Sequence, residues 1–154
     1  MGLFEKLHNF GLLTSADHGA GIDSDSFNAG LFLDIGMTVI IGNISVADTT
    51  LKVYSGASAG TKTTAETFRY RRSLAAIKSA TGDQYGAWAT SASLDLANAS
   101  DDNLVIQIEF SPSDLTAGQH WVTVELGSGA TVLQATISVT AVPRYSANVH
   151  PTAI

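Results

Sequence analysis

The sequence has no cysteine, and only three prolines and two methionines among its 154 residues. Without thiols it can form neither a disulfide framework nor a thiolate metal site. Its stability therefore has to come from packing and backbone ladders, or from assembly. Charge is also scarce. Asp, Glu, Lys and Arg make up 14% of the chain, against about 25% in an ordinary soluble domain. The charge that is present sums to −6, which argues against a nucleic-acid partner, because phosphate recognition rests on a basic surface. No apolar run approaches the roughly 20 residues that a helix needs to cross a bilayer, so no membrane partner is expected. Residues 1–10 carry Glu5, Lys6 and His8 and lack the uninterrupted apolar stretch of a secretion signal.

The constellations that carry chemistry are missing as well. A nucleophile needs a base held by a third group, and there is no G-x-S-x-G elbow. Of the four histidines, His8 and His18 fall near the N-terminus, His150 near the C-terminus, and only His120 beside an apolar run. Asp23-Ser24-Asp25-Ser26 begins like a calcium loop but lacks the glycine and terminal glutamate that complete one. Asp17 with His18, and Asp101-Asp102-Asn103, read as solvated connections. Gly127-Ser128-Gly129 precedes a strand rather than a helix, so it is no phosphate cradle. The expectation is no catalytic residues, no cofactor, no metal and no enzyme activity.

What remains is a chain with 45% hydrophobic residues and the texture of β-structure. Residues 1–13 place Leu3, Phe4, Leu7 and Phe10 at near-helical spacing. A Ser/Gly/Asp-rich stretch follows, so residues 1–22 read as an N-terminal arm and linker. Strands are expected over 27–34, 37–46, 50–54, 63–72, 88–96, 104–110, 121–126 and 131–142, with alternation cleanest at 104–110. Ser111-Pro112-Ser113-Asp114-Leu115 has the form of a capped helical turn. Gly127-Ser128-Gly129 between the last two strands is the clearest hairpin signal. About eight strands with short turns and almost no helix indicate an all-β fold, a jelly-roll-like or other Greek-key β-sandwich, over residues 23–142. Residues 143–154, punctuated by proline, read as an extended C-terminal tail.

Two clusters invite a binding role. Arg69, Arg71 and Arg72 sit together with Lys62 and Lys78 nearby, in an otherwise acidic protein. In a strand Arg69 and Arg71 share one face, and Phe68, Tyr70 and Arg72 the other. Such an arginine pair suits carboxylates of an adjacent chain, or internal acidic partners on a solvated face. Tyr54, Tyr70, Tyr85 and Trp88 are candidates for a sugar-binding platform, or for ordinary core positions.

The layout resembles the small capsid decoration, or cement, proteins of tailed bacteriophages. The resemblance lies in the leader ending at Asp23-Ser24-Asp25-Ser26-Phe27, in Thr50-Leu51-Lys52-Val53-Tyr54 followed by a small-residue turn, and in the aromatic-basic Phe68-Arg69-Tyr70-Arg71-Arg72. It continues through Trp121-Val122-Thr123-Val124-Glu125-Leu126 and the close from Pro143 to Ile154. It covers most of the chain and contains no single diagnostic motif. It implies a virion protein on the outer capsid surface that binds the major capsid protein, self-associates as a homotrimer, and strengthens the shell by repeated contacts. No functional residue transfers with it. The expected contact residues are Phe4, Leu7 and Phe10 in the arm, Arg69 and Arg71 on the strand, and Tyr145 and Ile154 in the tail. A phage tail or neck component and a carbohydrate-binding β-sandwich module are the alternative readings.

Overall fold

The computed structural model of the chain describes residues 6–98 and 100–144. Among these, the strands in chain order are β1 (His8–Asp17), β2 (Ile22–Asp23), β3 (Phe27–Asn28), β4 (Phe32–Ser45), β5 (Thr49–Gly56), β6 (Thr64–Glu66), β7 (Phe68–Arg72), β8 (Ala89–Ser91), β9 (Leu94–Leu96), β10 (Val105–Phe110), β11 (Trp121–Leu126) and β12 (Val132–Pro143). Among the described residues the named helical elements are two short 3-10 turns, Ala29–Leu31 and Pro112–Asp114. No described helix is long and apolar enough to cross a membrane.

The strands form two antiparallel sheets. The larger runs β1-β12-β4-β10-β7-β8, and the smaller runs β2-β11-β5-β6, with β3 also on β11 and β9 also on β5. Alternation explains how they face each other. Strand β4 buries Ile35, Met37, Val39 and Ile41 and turns Gly36, Thr38 and Ile40 outward. Strand β12 buries Leu133, Ala135, Ile137, Val139 and Ala141. The smaller sheet answers with Leu51, Val53, Val122, Val124 and Leu126. Full burial of each such aliphatic side chain is worth about 1.5–3 kcal/mol, so this two-sided apolar layer outweighs any ion pair on the surface.

One bulge adjusts the alternation. Ile41 and Ile44 are both buried although they are three residues apart. Between them the ladder passes from Ala135 opposite Ile41 to Leu133 opposite Ile44, so Gly42 and Asn43 bulge against the single residue Gln134. A β-carbon on Gly42 would lie 2.8 Å from that of Gln134, which is why the bulge carries glycine.

The all-β sandwich expected from the sequence is what forms, with differences in detail. Residues 1–22 are not an arm over the part described: β1 pairs along β12, and β2 pairs with β11. The register of β1 shifts between Gly11 and Leu13 and again between Leu13 and Ala16. An interrupted strand of this kind loses its period of two, so residues 8–17 give no clean alternation in the sequence. The sheets therefore begin well before residue 23. The expected strands 63–72 and 88–96 each divide, β6 and β9 joining the smaller sheet and β7 and β8 the larger. Burial of both Glu66 and Phe68 keeps the alternation unbroken across the bend at Thr67, so periodicity alone gives no sign of the change of sheet. Expected strand 27–34 is interrupted by the 3-10 turn Ala29–Leu31. The hairpin expected around Gly127-Ser128-Gly129 does not form: β11 pairs with β5 and β12 with β4, in opposite sheets. The two glycines instead press against the turn before β5. A β-carbon on Gly127 would lie 2.7 Å from Thr50 Oγ1, and one on Gly129 2.6 Å from the Asp48 carbonyl oxygen.

Two polar details generate tests. Glu66 is 8% exposed, accepts hydrogen bonds from the Ser55 hydroxyl and, at 2.8 Å, from the Thr116 backbone N–H, and so ties the loop before β11 to β5. Burial by itself would raise its pKa, but the hydrogen bonds from Ser55 and Thr116 outweigh it and hold the carboxyl below its ordinary value. Folding thus favours the charged form. The stabilisation is complete at neutral pH and disappears as pH falls through the lowered value. The stability gap between wild type and Glu66→Gln, followed by urea unfolding, should therefore be widest near pH 7 and close progressively below about pH 4. A second test concerns Val46, in the turn between β4 and β5, which has φ of 76° and is 76% exposed. The left-handed region costs a β-branched residue roughly 1 kcal/mol or more. Val46→Asn should raise the denaturation midpoint by the equivalent of about 1 kcal/mol, because asparagine tolerates that conformation and no buried contact is lost.

Candidate functional site

The strongest concentration of recognition chemistry lies on the outer face of the larger sheet, centred on β7. Alternation sends Phe68 into the core and Arg69 and Arg71 outward. Tyr70 packs edge-on against Phe68, with ring centroids 6.2 Å apart. On one side of β7 lies β10, with Gln107 opposite Arg71 and Glu109 opposite Arg69. On the other side the chain returns alongside β7. Tyr85 bridges to Ser73, the Gly86 N–H donates to the Arg72 carbonyl at 2.9 Å, and Ala89 pairs with Tyr70. This return segment delivers Tyr85 and Trp88 to the two guanidinium groups. Arg69 stacks on Trp88 at 4.3 Å, and Arg71 stacks on Trp88 at 4.6 Å and on Tyr85 at 4.7 Å. Arg71 Nε donates to Gln107 Oε1 at 2.7 Å. Arg69 approaches Glu109 only to 3.9 Å.

Beyond β10 the middle of the same face carries uncharged side chains, with Asp34 near the N-terminal end of β4. Across β4 and β12 the register sets Gln107 beside Thr38 and Thr38 beside Ser138, while Glu109 stands beside Gly36 and Gly36 beside Thr140. Where Gly36 lacks a side chain the face opens into a cleft of about 480 Å³, lined among others by Asp34, Gly36, Arg69, Glu109, Ser111 and Thr140. Ser111 donates its hydroxyl to Asp34 at 2.9 Å, and the Asp114 carboxylate accepts from the Ser111 N–H at 2.8 Å. These bonds fix the cleft wall through the 3-10 turn Pro112–Asp114. A β-carbon on Gly36 would lie at an ordinary 3.6 Å from the Thr140 carbonyl oxygen, so the fold does not demand glycine there.

The other residues singled out in the sequence lie elsewhere. Phe10 belongs to an aromatic cluster inside the protein, 5.4 Å from Phe27 and 6.0 Å from Phe32 between ring centroids. Leu7 is half-buried and lines the Gly36 cleft. Phe4, Tyr145 and Ile154 lie outside the described residues, as does most of the 143–154 segment. The four aromatic candidates for a sugar platform do not share a surface. Tyr54 is on the smaller sheet under Lys62, Tyr70 is half-buried against the core, and Tyr85 and Trp88 are already stacked by guanidinium groups. Asp23, once a candidate calcium ligand, holds Lys62 at 2.7 Å together with Glu125 at 2.6 Å. Among the described residues, no three His, Cys, Asp or Glu side chains gather as a metal ion would require. Sequence reasoning found the arginines and both rings but assigned them to different roles. It missed Gln107, Glu109 and Gly36, whose only signal is their place in the register.

No protein-family model matches the chain, and no curated protein matches it. Among solved structures it is similar to the SPBc2 prophage-derived protein YomS, at 18% identity and a TM-score of 0.46, over 88% of this chain and 93% of that one.

The arginine row keeps its place because the next residue of β7 is anchored. Arg72 Nη1 donates to both carboxylate oxygens of Asp101, at 2.8 and 3.1 Å, and Nη2 donates to the Asp95 carbonyl of β9. The Asp101 side chain is 3% exposed and also accepts from the Ala97 N–H at 2.7 Å. This clamp joins β7 to the connection that leaves the smaller sheet. Removing one partner of a buried pair leaves the other uncompensated. Asp101→Asn should therefore destabilise the fold by about 2–3 kcal/mol, a figure reduced for the partial exposure of Arg72, and measurable by chemical denaturation.

Proposed function

We propose that this protein is a virion structural component, a capsid decoration or cement protein, that docks the outer face of its larger sheet on a lattice of major capsid protein. The observation that carries this reading is the pairing of a platform of uncharged hydroxyl residues, Thr38, Ser138 and Thr140, with a pre-ordered Arg–Trp–Arg–Tyr row at its edge. Arginine, tryptophan and tyrosine are the residues that most often anchor protein interfaces. A neighbouring surface poor in charge has little to desolvate on contact. The sequence layout, similar to that of tailed-phage cement proteins, supports the same reading.

Reinforcement of a shell then follows from repetition. A face of this kind need bind each capsid subunit only weakly, because copies linked as a homotrimer engage several subunits at once and the later contacts are effectively intramolecular. Guanidinium groups held by stacking also lose less side-chain entropy on docking than free ones would. A sugar-binding role is less well supported, since the exposed rings that would stack on a sugar are covered by arginine.

The cleft over Gly36 offers a test that does not disturb the fold. Gly36→Thr fills the cleft from a position where a β-carbon meets nothing closer than ordinary contact, and threonine suits a strand. The variant should fold with wild-type stability or better. When mixed with particles lacking the protein, it should co-sediment with at least tenfold weaker apparent affinity, the equivalent of about 1.4 kcal/mol. Wild-type occupancy by this variant would remove the outer face from the interface.

A further inference from the structure

We propose that Arg71, with Arg69 beside it, is a carboxylate-binding anchor, so that the partner surface opposite β7 presents an acidic side chain. This inference rests on the docking reading of the outer face and specifies the chemistry of its partner. Three observations lead to it. First, the Arg71 guanidinium is held by a ring at 4.6 Å, a second ring at 4.7 Å and a 2.7 Å bond from Nε to Gln107. Among the described residues its hydrogen bonds run through Nε alone, which leaves the two-pronged Nη edge to be filled. That edge matches a carboxylate in a parallel, bidentate geometry.

Second, Arg69 stands two residues along the same strand, about 7 Å away, and stacks on the same Trp88. Its acidic neighbour Glu109, at 3.9 Å, is too distant for a hydrogen bond. Within β7 and β10 the edge of the platform therefore carries two stacked cations against one loosely placed anion, Glu109, while Asp34 and Asp114 belong to the lining of the Gly36 cleft.

Third, this edge contrasts with the chain that carries it. A net charge of −6 opposes long-range attraction of a polyanion such as a phosphate backbone, and Trp88 has both guanidinium groups on it, so stacking with a base is obstructed. A single carboxylate delivered by a protein surface meets neither obstacle. An acidic protein that sets its arginines on one edge also gains a rule of orientation, since like-charged surfaces are rejected everywhere else.

The test uses the full chain, with the capped tripeptide Gly-Glu-Gly, which carries one carboxylate, as the probe. The two tryptophans give two indole N–H signals in an NMR spectrum, and loss of one in Trp88→Phe assigns it. The tripeptide should move the Trp88 signal saturably and leave that of Trp121 in place. Arg71→Lys keeps the charge but not the fork, and should weaken the response by about tenfold. Sodium sulfate at matched ionic strength, or the capped tripeptide Gly-Gln-Gly, should leave the signal unmoved. Absence of any movement with Gly-Glu-Gly, an equal response to sulfate, or full binding by Arg71→Lys would each overturn the carboxylate anchor. Particle co-sedimentation of Gly36→Thr separates the two readings: if that variant loses occupancy while the tripeptide experiment fails, the docking face stands and only the acidic partner is withdrawn.

Discussion

Strand β4 is bonded to β12 along nearly its whole length and to β10 from Ile35 to Ile40, and its register dictates what every other strand of the larger sheet presents. A slip of one residue would bring Gly36, Thr38 and Ile40 inside and expel Ile35, Met37 and Val39. The burial of those apolar side chains against the smaller sheet makes such a slip prohibitively costly. Because β10 is aligned by β4, and β7 by β10, the outward direction of Arg69 and Arg71 is inherited from apolar packing two strands away. The Gly42 bulge serves the same constraint by returning Ile44 to the inner face.

Charge is used sparingly and mostly within the molecule. Arg72 is held by Asp101, Lys62 by Asp23 and Glu125, and Asp102 accepts from the Ile44 N–H at 2.7 Å. These contacts join segments distant in sequence. The centre of the larger sheet's outer face is left to Thr, Ser and Gly. Such a face keeps its pleat in water yet gives up little solvation when covered, which is the balance a repeated, reversible contact requires. On the proposed docking reading, the stacked arginines at its edge add direction to a surface that would otherwise bind with little specificity.

The class of fold was legible from residue order. Apolar alternation at 104–110 and 131–142 reappears as β10 and β12, and Ser111-Pro112 announces the 3-10 turn that follows β10. The outward pairing of Arg69 with Arg71 was equally plain from alternation. Bulged and bent segments were not. Strand β1 was not legible because two register shifts leave it no clean period of two. The break at Thr67 preserves alternation while exchanging one sheet for the other, and β8 shows too little burial to betray that it and β9 lie in different sheets. The glycines at 127 and 129 resemble a hairpin because a close crossing over the Asp48–Thr50 backbone also requires residues without side chains.

From its sequence alone, this protein was bound to be a cysteine-free, charge-poor β-structure with two arginines on one strand face, since composition and a period of two are local properties that survive in any register. Only the tertiary structure decided which strands would be neighbours, and with that the stacking of Trp88 and Tyr85 on those arginines, the clamp between Arg72 and Asp101, and the cleft over Gly36. Each of these joins residues whose separation along the chain carries no information about their distance in space. The packing of two apolar faces supplies that distance, because it admits a single arrangement of the ladders.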